Sequence, residues 1–215
     1  MSWKKEISQI KLREKLAKQQ GGSEAVKVQH DKGRLTLRER IDLLLDKDSF
    51  DEIGKVAGGA EYDDEGNLLS LTPANFILGF GKIEGQDVIV GGEDFTVKGG
   101  SPNAAGLRKS VYTEDLAVKH KFPLVRLHEG GGGSVAGPSK EKKGYGGDPV
   151  FARSRFKSVA QTLKEVPVVS AALGPVAGLP ASRFVGSHFR IMVKDNAQIL
   201  VAVSYTHLRA HETVV

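Results

Sequence analysis

The sequence predicts an α/β fold with a largely parallel β-sheet. Three times, a short run of strand type is followed by glycines and then by a helical pattern, at Phe95, at Leu124 and at Val168. Repeated strand-turn-helix units with buried strands are typical of such folds. The turns after neighbouring parallel strands lie together at the carboxyl edge of the sheet, where these folds bind ligands. We therefore expect a ligand site built from glycine turns.

Composition excludes several classes of protein. The 215 residues include no cysteine, so disulfides and thiolate metal sites are excluded. The N-terminus lacks the apolar segment of a secretory signal, and no apolar run approaches the ~20 residues that span a bilayer. We therefore expect a cytoplasmic protein without membrane contact. The net charge of +5 suits an anionic ligand or simply a basic surface, while 7% aromatic residues disfavour a nucleic-acid partner.

The first 48 residues are predicted to form a helical N-terminal extension. Apolar residues at helical spacing predict helices over Glu6–Gln19 and Ser23–His30, the second with Ser23 as its N-cap. Thr36 and Glu39 have the spacing of a capping box, which opens a third helix at Leu37.

A strand over Phe50–Val56 and an acidic linker over Gly58–Leu68 are expected next. Two β-rich runs, Asn75–Phe80 and Gln86–Val90, are separated by a hairpin-like connection. The remaining expected elements are a strand at Phe95–Val97, a helix at Asn103–His120, a helix from Asp148–Pro149 to Glu165, a strand at Val168–Leu173, a turn at 174–178, a helix at Ala181–His188, and strands at Phe189–Val193 and Ala197–Ala202.

The stretch Phe122–Gly137, FPLVRLHEGGGGSVAG, organises the chain. An apolar strand runs directly into four glycines, whose amides can converge on one negative oxygen because no Cβ blocks the approach. The stretch half-matches a dinucleotide fingerprint, but the helix that should follow is replaced by Pro138 and a lysine-rich loop. Pro138 also stands where a phosphate loop needs lysine. His128 is a candidate general base, although a histidine that ends a buried strand is more often a structural hydrogen-bonder.

The segment Val203–Thr213, VSYTHLRAHET, resembles the translation of a transposase-type sequencing adapter. We therefore expect residues 203–215 to be a non-native tail and exclude them from functional reasoning. On this interpretation the natural sequence stops within a domain, after the predicted strand Ala197–Ala202.

Four stretches together resemble one family: the N-terminal part of the carboxyltransferase (β) subunit of biotin-dependent acyl-CoA carboxylases, of the propionyl-CoA and methylcrotonyl-CoA carboxylase type. The resemblance covers about residues 5–202. The stretches are GRLTLRERIDLLLDKDSFDEI (33–53), GGS (99–101), FPLVRLHEGGGG (122–133) and GPVAGLPASRF with FRIMVKDNAQILVA (174–202).

The resemblance implies a crotonase-like fold of ββα units, with residues 49–202 as a truncated N-terminal carboxyltransferase domain. It implies carboxyl transfer from carboxybiotin, on a partner carrier protein, to the α-carbon of an acyl-CoA. A biotin carboxylase and biotin carrier subunit would be partners, and the full-length protein would be a homo-oligomer. No metal is expected in this chain. Because the family's second homologous domain is absent, the fragment alone is expected to be inactive.

The resemblance also implies the site residues. The backbone amides of Gly131 and Gly132 would hold the enolate oxygen, which makes them the catalytic groups. The substrate would be bound by the residues of three glycine turns: Gly99, Gly100, Ser101, Gly130, Gly133, Ala177, Gly178 and Leu179. The chain departs from the family at Glu129-Gly130 (Asp-Ser in the family), at Gly133-Ser134 (Ala-Arg), and at Leu179, where the family has a second glycine.

Two other functions remain open from the residues alone. A biotin-independent decarboxylase or hydratase could use the same fold, but a hydratase needs a carboxylate pair near the glycine turns, where Glu129 is the one candidate. A non-catalytic module that binds CoA or a nucleotide is the third possibility, and it would bind tightly without turnover.

Overall fold

The computed structural model describes residues 3–101, 103–131 and 154–200. Its helices are α1 (Lys4–Lys18), α2 (Ser23–Asp31), α3 (Leu37–Leu44), α4 (Ala104–His120), α5 (Arg155–Glu165) and α6 (Leu179–Val185). Its strands are β1 (Asp51–Glu52), β2 (Gly58–Tyr62), β3 (Leu68–Pro73), β4 (Phe76–Ile83), β5 (Gln86–Glu93), β6 (Leu124–Gly130), β7 (Val168–Ala177), β8 (Phe189–Met192) and β9 (Gln198–Leu200).

One mixed sheet forms the centre of the fold, in the order β1-β4-β5-β6-β7-β8, with β9 also paired to β7. The pairs β1–β4 and β4–β5 are antiparallel, whereas β5, β6, β7, β8 and β9 pair in parallel. The prediction of an α/β fold with a largely parallel sheet is therefore confirmed, with a hairpin added at one side. The parallel half brings the carboxyl ends of β5, β6 and β7 to one edge.

Helices pack on both faces of the sheet, because successive strand residues point to opposite sides. On one face, α3 buries Leu37 and Ile41 against Ile77 and Val90. On the other, Leu116 of α4 packs with strand residues that include Leu78, Ile89 and Leu124. The Thr36–Glu39 capping box that starts α3 is present as predicted. Helix α3, placed by the sequence in the N-terminal extension, thus packs directly on the sheet. The boundary at residue 48 stays a prediction.

Four local predictions were wrong. Residues 95–97 form a turn instead of a strand because the Asp94 carboxylate accepts hydrogen bonds from the Thr96 amide (3.0 Å) and hydroxyl (2.6 Å). The strand that feeds the first glycine turn is therefore β5. The expected acidic linker is the hairpin β2–β3, whose turn is held by Asp63 and by Gly66 at φ 80°. Helix α2 is preceded by Gly22, and Ser23 is its first residue rather than its N-cap.

The fourth wrong prediction is the turn at 174–178. Strand β7 continues to Ala177, and Gly178 alone, at φ 65°, makes the bend before α6. The register against β6 shifts by two residues, from His128 opposite Ala172 to Gly130 opposite Val176. The extra residues of β7 include Pro175, which has no amide to donate to a ladder.

Elsewhere, apart from the first strand, the boundaries changed little. The predicted first strand is reduced to Asp51–Glu52, followed by Gly54 at φ 66°. The predicted helix start at 148–149 and the tail at 203–215 lie outside the described residues, and the described part of that helix begins at Arg155. Among the described helices, none is long and apolar enough to cross a bilayer.

A buried ion cluster joins α3, β1 and α4. Arg38 donates to both carboxylate oxygens of Glu52 (2.8 and 3.2 Å), and Lys109 Nζ lies 3.9 Å from the same carboxylate. Lys109 Nζ also donates to the Gly54 carbonyl at 3.3 Å. Burial lowers the pKa of Lys109 to about 8, against the opposing effect of Glu52.

We expect this lysine to give the protein a distinctive alkaline stability profile. Between pH 8 and the ordinary lysine value of 10.5, the unfolded chain binds more protons than the folded one, so the free energy of unfolding rises with pH. Relative to Lys109→Met, the wild type should gain up to about 3 kcal/mol across this window. Urea unfolding of both proteins at a series of pH values measures this gain. If the unfolding free energies of the two proteins changed in parallel with pH, the lowered pKa of Lys109 would be contradicted.

Candidate functional site

The turn after β5 is wound into the left-handed region. Lys98, Gly99 and Gly100 have φ of 53°, 62° and 69° in succession. Helix α4 follows, capped by Asn103, whose side-chain oxygen accepts from the Gly106 amide at 2.7 Å. A Cβ on Gly100 would lie 2.6 Å from the Cα of Gly130. Glycine is therefore required at residue 100 both for its φ and for the closeness of the next turn.

Asn75, which begins the segment leading into β4, holds this turn in place. Its Nδ2 donates to the carbonyl oxygens of Gly100 (2.9 Å) and Ser101 (2.7 Å), and its Oδ1 accepts from the Asn103 amide (3.2 Å). Asn75 is buried, so these bonds are shielded from water. The sequence offered only an asparagine at the start of a β-rich run, and this role was missed.

The first and second glycine turns are bonded to each other. The amide of Gly131 donates to the carbonyl oxygen of Gly99 at 3.1 Å. Gly130 ends β6 and stands opposite Val176 of β7, two residues before the bend at Gly178. The structure thus brings the turns after β5, β6 and β7 together at one edge, as the sequence predicted for neighbouring glycine turns.

The third turn closes the group. The Gly178 amide donates to the Leu200 carbonyl of β9 at 3.3 Å, and Ala177 pairs with Leu200. Leu179 and Gly100 line one small cavity of about 20 Å³, which also has Arg183 in its wall. Residues from the first and third turns therefore share a surface, with Gly130 in contact with Gly100.

Two buried carboxylates lie beside these turns. Glu129 is 1% exposed and contacts Arg34 Nη1 (3.2 Å) and Arg40 Nη2 (2.5 Å). The Cβ and Cγ of Glu93 line the space beside Gly130, and its Oε2 lies 3.0 Å from His128 Nδ1. Burial by itself raises the pKa of Glu93, but the charge and hydrogen bond of His128, with the charge of Arg183, hold that pKa below its usual value.

His128 is linked to two buried serine hydroxyls. Its Nε2 lies 3.5 Å from the Ser170 oxygen, which is 2.7 Å from the Ser187 oxygen. These are the residue types of a serine-histidine-acid triad, which the sequence did not reveal. All of them are buried inside the fold, however, so they form a structural network. The structural interpretation of His128 fits this arrangement better than a role as general base.

A second buried network holds α6. Glu114 Oε1 accepts from Arg126 Nη2 and from Arg183 Nε, both at 2.8 Å, and Arg183 Nη1 donates to the Ser110 hydroxyl at 3.0 Å. Burial lowers the pKa of Arg126 to about 10 despite the neighbouring Glu114. Because an unpaired buried charge is costly, this network fixes α6, and the turn before it, against α4 and β6.

The structure thus describes most of the predicted site. Gly99, Gly100, Ser101, Gly130, Gly131, Ala177, Gly178 and Leu179 are at one edge of the sheet, while Gly132 and Gly133 lie outside the described residues. Within the described ranges, no group of three or more histidine or acidic side chains is placed to hold a metal. The catalytic and substrate-binding roles of these residues stay predictions.

Comparison with known proteins identifies the family. The model of the carboxyl transferase domain matches residues 28–206. The chain belongs to the carboxyl transferase domain family. The propionyl-CoA carboxylase beta chain of Roseobacter denitrificans is 32% identical over 197 residues, which are 91% of this chain and 37% of that relative. The methylmalonyl-CoA decarboxylase subunit alpha of Veillonella parvula is 31% identical over 88% of this chain and 36% of its own length.

A solved structure confirms the fold of this carboxyl transferase domain. Transcarboxylase 12S, described as a hexamer with methylmalonyl-coenzyme A and methylmalonic acid bound, matches with a TM-score of 0.74 at 23% identity. The match covers 100% of this chain and 40% of the other. The predicted crotonase-like fold is therefore confirmed. The chain spans little more than a third of the length of its curated relatives.

The contact between the first two turns predicts a specific cost for Gly100→Ala. The alanine at residue 100 must keep a positive φ, and its methyl group must displace the backbone of Gly130. The alanine in Gly85→Ala also needs a positive φ (79°), but no atom lies within 4 Å of its Cβ, so it carries only the φ strain. Gly85→Ala should cost about 1 kcal/mol. Gly100→Ala should cost about 1 to 3 kcal/mol more, measured by urea unfolding. Equal losses of unfolding free energy in the two variants would contradict a close contact between the first two turns.

Proposed function

We propose that the complete protein transfers a carboxyl group to the α-carbon of an acyl-CoA. The observation that carries this proposal is the convergence of three glycine turns at the carboxyl ends of β5, β6 and β7, in a member of the carboxyl transferase family. Backbone amides at such an edge are suited to a flat, negatively charged thioester enolate.

The chemistry assigned to the chain is stabilisation of that enolate. Removing the α-proton places negative charge on the thioester oxygen, and amides aimed at this oxygen lower the barrier. Gly131 is the proposed donor within the described residues, and Gly132 the proposed second donor. Because the Gly131 amide is bonded to the Gly99 carbonyl, the thioester oxygen would have to replace Gly99 as its acceptor. The turn at 99–101 would therefore move when substrate binds.

The remaining partners are proposed by analogy with the family. Carboxybiotin on a partner carrier would supply the carboxyl group, and a biotin carboxylase would load that carrier. No described residue is assigned to biotin. A homo-oligomeric complete protein, without metal in this segment, and a cytoplasmic location are part of the same proposal. Since the chain spans 37% of the length of a propionyl-CoA carboxylase relative, these properties are proposed for the complete protein, and the 215 residues alone are expected not to turn over.

The two other enzymatic functions, decarboxylation and hydration, are not equally supported. A relative named as a methylmalonyl-CoA decarboxylase subunit favours a decarboxylase as the second candidate. A hydratase would need a carboxylate pair that can exchange protons with substrate. The two carboxylates beside the described turns, Glu129 and Glu93, are instead buried against Arg34, Arg40 and His128. This argues against hydration.

The test is an assay of the complete protein that contains these residues, mixed with a biotin carboxylase, a biotinylated carrier, ATP and labelled bicarbonate. Acetyl-, propionyl- and butyryl-CoA are offered in turn, and acid-stable label in the acyl-CoA is measured. We expect carboxylation that avidin abolishes. Release of carbon dioxide from methylmalonyl-CoA that avidin does not inhibit would favour the decarboxylase, and binding of acyl-CoA without either reaction would favour a binding module.

In the same assay, Gly131→Val should lower kcat about 100-fold. A Cβ at residue 131 already lies 3.3 Å from the Ser101 hydroxyl, so a branched side chain crowds Ser101 and the turn that holds the donor amide. Gly59→Val, in a strand of the separate β2–β3 hairpin with nothing within 4 Å, is the matched control and should leave kcat unchanged. Loss of acyl-CoA binding with no change in kcat would contradict the assignment of this amide to the transition state.

A further inference from the structure

Glu129 occupies an unusual position for a buried charge. It is the residue before Gly130, so its backbone leads directly into the glycine turn, while its side chain is 1% exposed. A buried carboxylate is costly unless cations and hydrogen bonds surround it. Whatever fixes this carboxylate therefore also fixes the backbone that reaches Gly131.

The cations that surround it come from the N-terminal helical region. Arg40 of α3 places Nη2 2.5 Å from Oε2, and Arg34, between α2 and α3, places Nη1 3.2 Å from Oε1. Gln29 of α2 adds a longer donor, with Nε2 3.4 Å from Oε2. These partners are 89 to 100 residues away along the sequence (129 − 40 = 89; 129 − 29 = 100), so the contact exists only in the folded chain.

Strand β7 packs against the Glu129 carboxylate on the side opposite to the arginines. A Cβ on Gly174 would lie 2.5 Å from Oε1 of Glu129 and 2.7 Å from its Cγ. Any larger residue at 174 would push the carboxylate away from its arginines. Gly174 lies in the two-residue register shift of β7, so the local irregularity of the sheet makes room for this side chain.

We propose that Arg34 and Arg40 are positioning residues: through Glu129 they hold the Gly130–Gly131 backbone in place. This inference rests on the proposed function only for its catalytic consequence. Within the described residues, the ion pairs of both arginines are with Glu129 and not with the edge residues assigned to substrate. They act through one carboxylate, and the N-terminal helices thereby become part of the acyl-CoA site.

The structure supplies a matched control on the same helix. Arg38 of α3 pairs with Glu52 at 2.8 and 3.2 Å, and its side chain is about as exposed as that of Arg34 (22% and 20%). Glu52 belongs to β1 at the far edge of the sheet, away from the glycine turns. Arg38→Gln therefore breaks an ion pair of the same kind and leaves Glu129 with its partners.

The first measurement is hydrogen exchange of the Gly131 amide in the 215-residue chain, by NMR, expressed relative to core amides of β4 and β5. A general loss of stability accelerates the core amides, which exchange through global unfolding, so it cannot by itself raise this ratio. Arg40→Gln should raise the relative exchange rate of Gly131 about tenfold, Arg34→Gln by a smaller factor, and Arg38→Gln should leave it unchanged. Arg40→Lys, which keeps the charge, should restore part of the protection.

Equal relative exchange in Arg40→Gln and Arg38→Gln would overturn the proposal, because the arginine would then stabilise the fold without positioning the turn. The second measurement repeats the variants in the carboxylation assay of the complete protein. If positioning serves catalysis, Arg40→Gln lowers kcat more than it raises KM, and Arg38→Gln changes neither. Protection that depends on Arg40 in a protein with no carboxylation would uphold the positioning role and reject the proposed function.

Discussion

The structure depends on a close approach of two main-chain segments that side chains would prevent. Gly100 lies against the Cα of Gly130, and the Gly131 amide is bonded to Gly99. Glycines make this approach possible, since each Cβ would need space that the other backbone already fills. From this contact follow the position of the turn at the end of β6 and its alignment with the bend at Gly178.

Buried polar groups around this contact keep the turns from drifting apart. Asn75 fixes the first turn through two carbonyl oxygens, Glu129 fixes the second through two arginines, and the Glu114–Arg183 pair fixes the helix after the third. Each is far from solvent, where hydrogen bonds are strong and unpaired groups are costly. The residues at this edge of the sheet therefore have defined positions, and the proposed binding of an enolate requires release of the Gly131 amide from the Gly99 carbonyl.

Local patterns predicted the regular elements well and the turns less well. The capping box at Thr36, the hairpin β4–β5 and the apolar run of β6 depend on neighbouring residues, and all were found. The wrong predictions arose where a side chain bonds the nearby backbone, as Asp94 does with Thr96, and where a strand pair consists largely of polar residues, as in β2–β3. The roles of Asn75, Arg34 and Arg40 could not be found from the sequence. An asparagine in a strand region, an arginine between two helices and an arginine on an amphipathic helix all resemble ordinary solvated residues.

By itself, the sequence determined the fold class, because strand periodicity and glycine turns are local signals with direct physical causes. The resemblance of four stretches gave the family, and the location of the site stays a prediction. The tertiary structure alone decided which groups surround the site. Ion pairs such as Arg40–Glu129 join residues 89 positions apart (129 − 40 = 89), and their partners are selected by the packing of α3 and β7 around β6. No local pattern encodes that selection, since a buried charge has a defined partner only after the chain has closed around it.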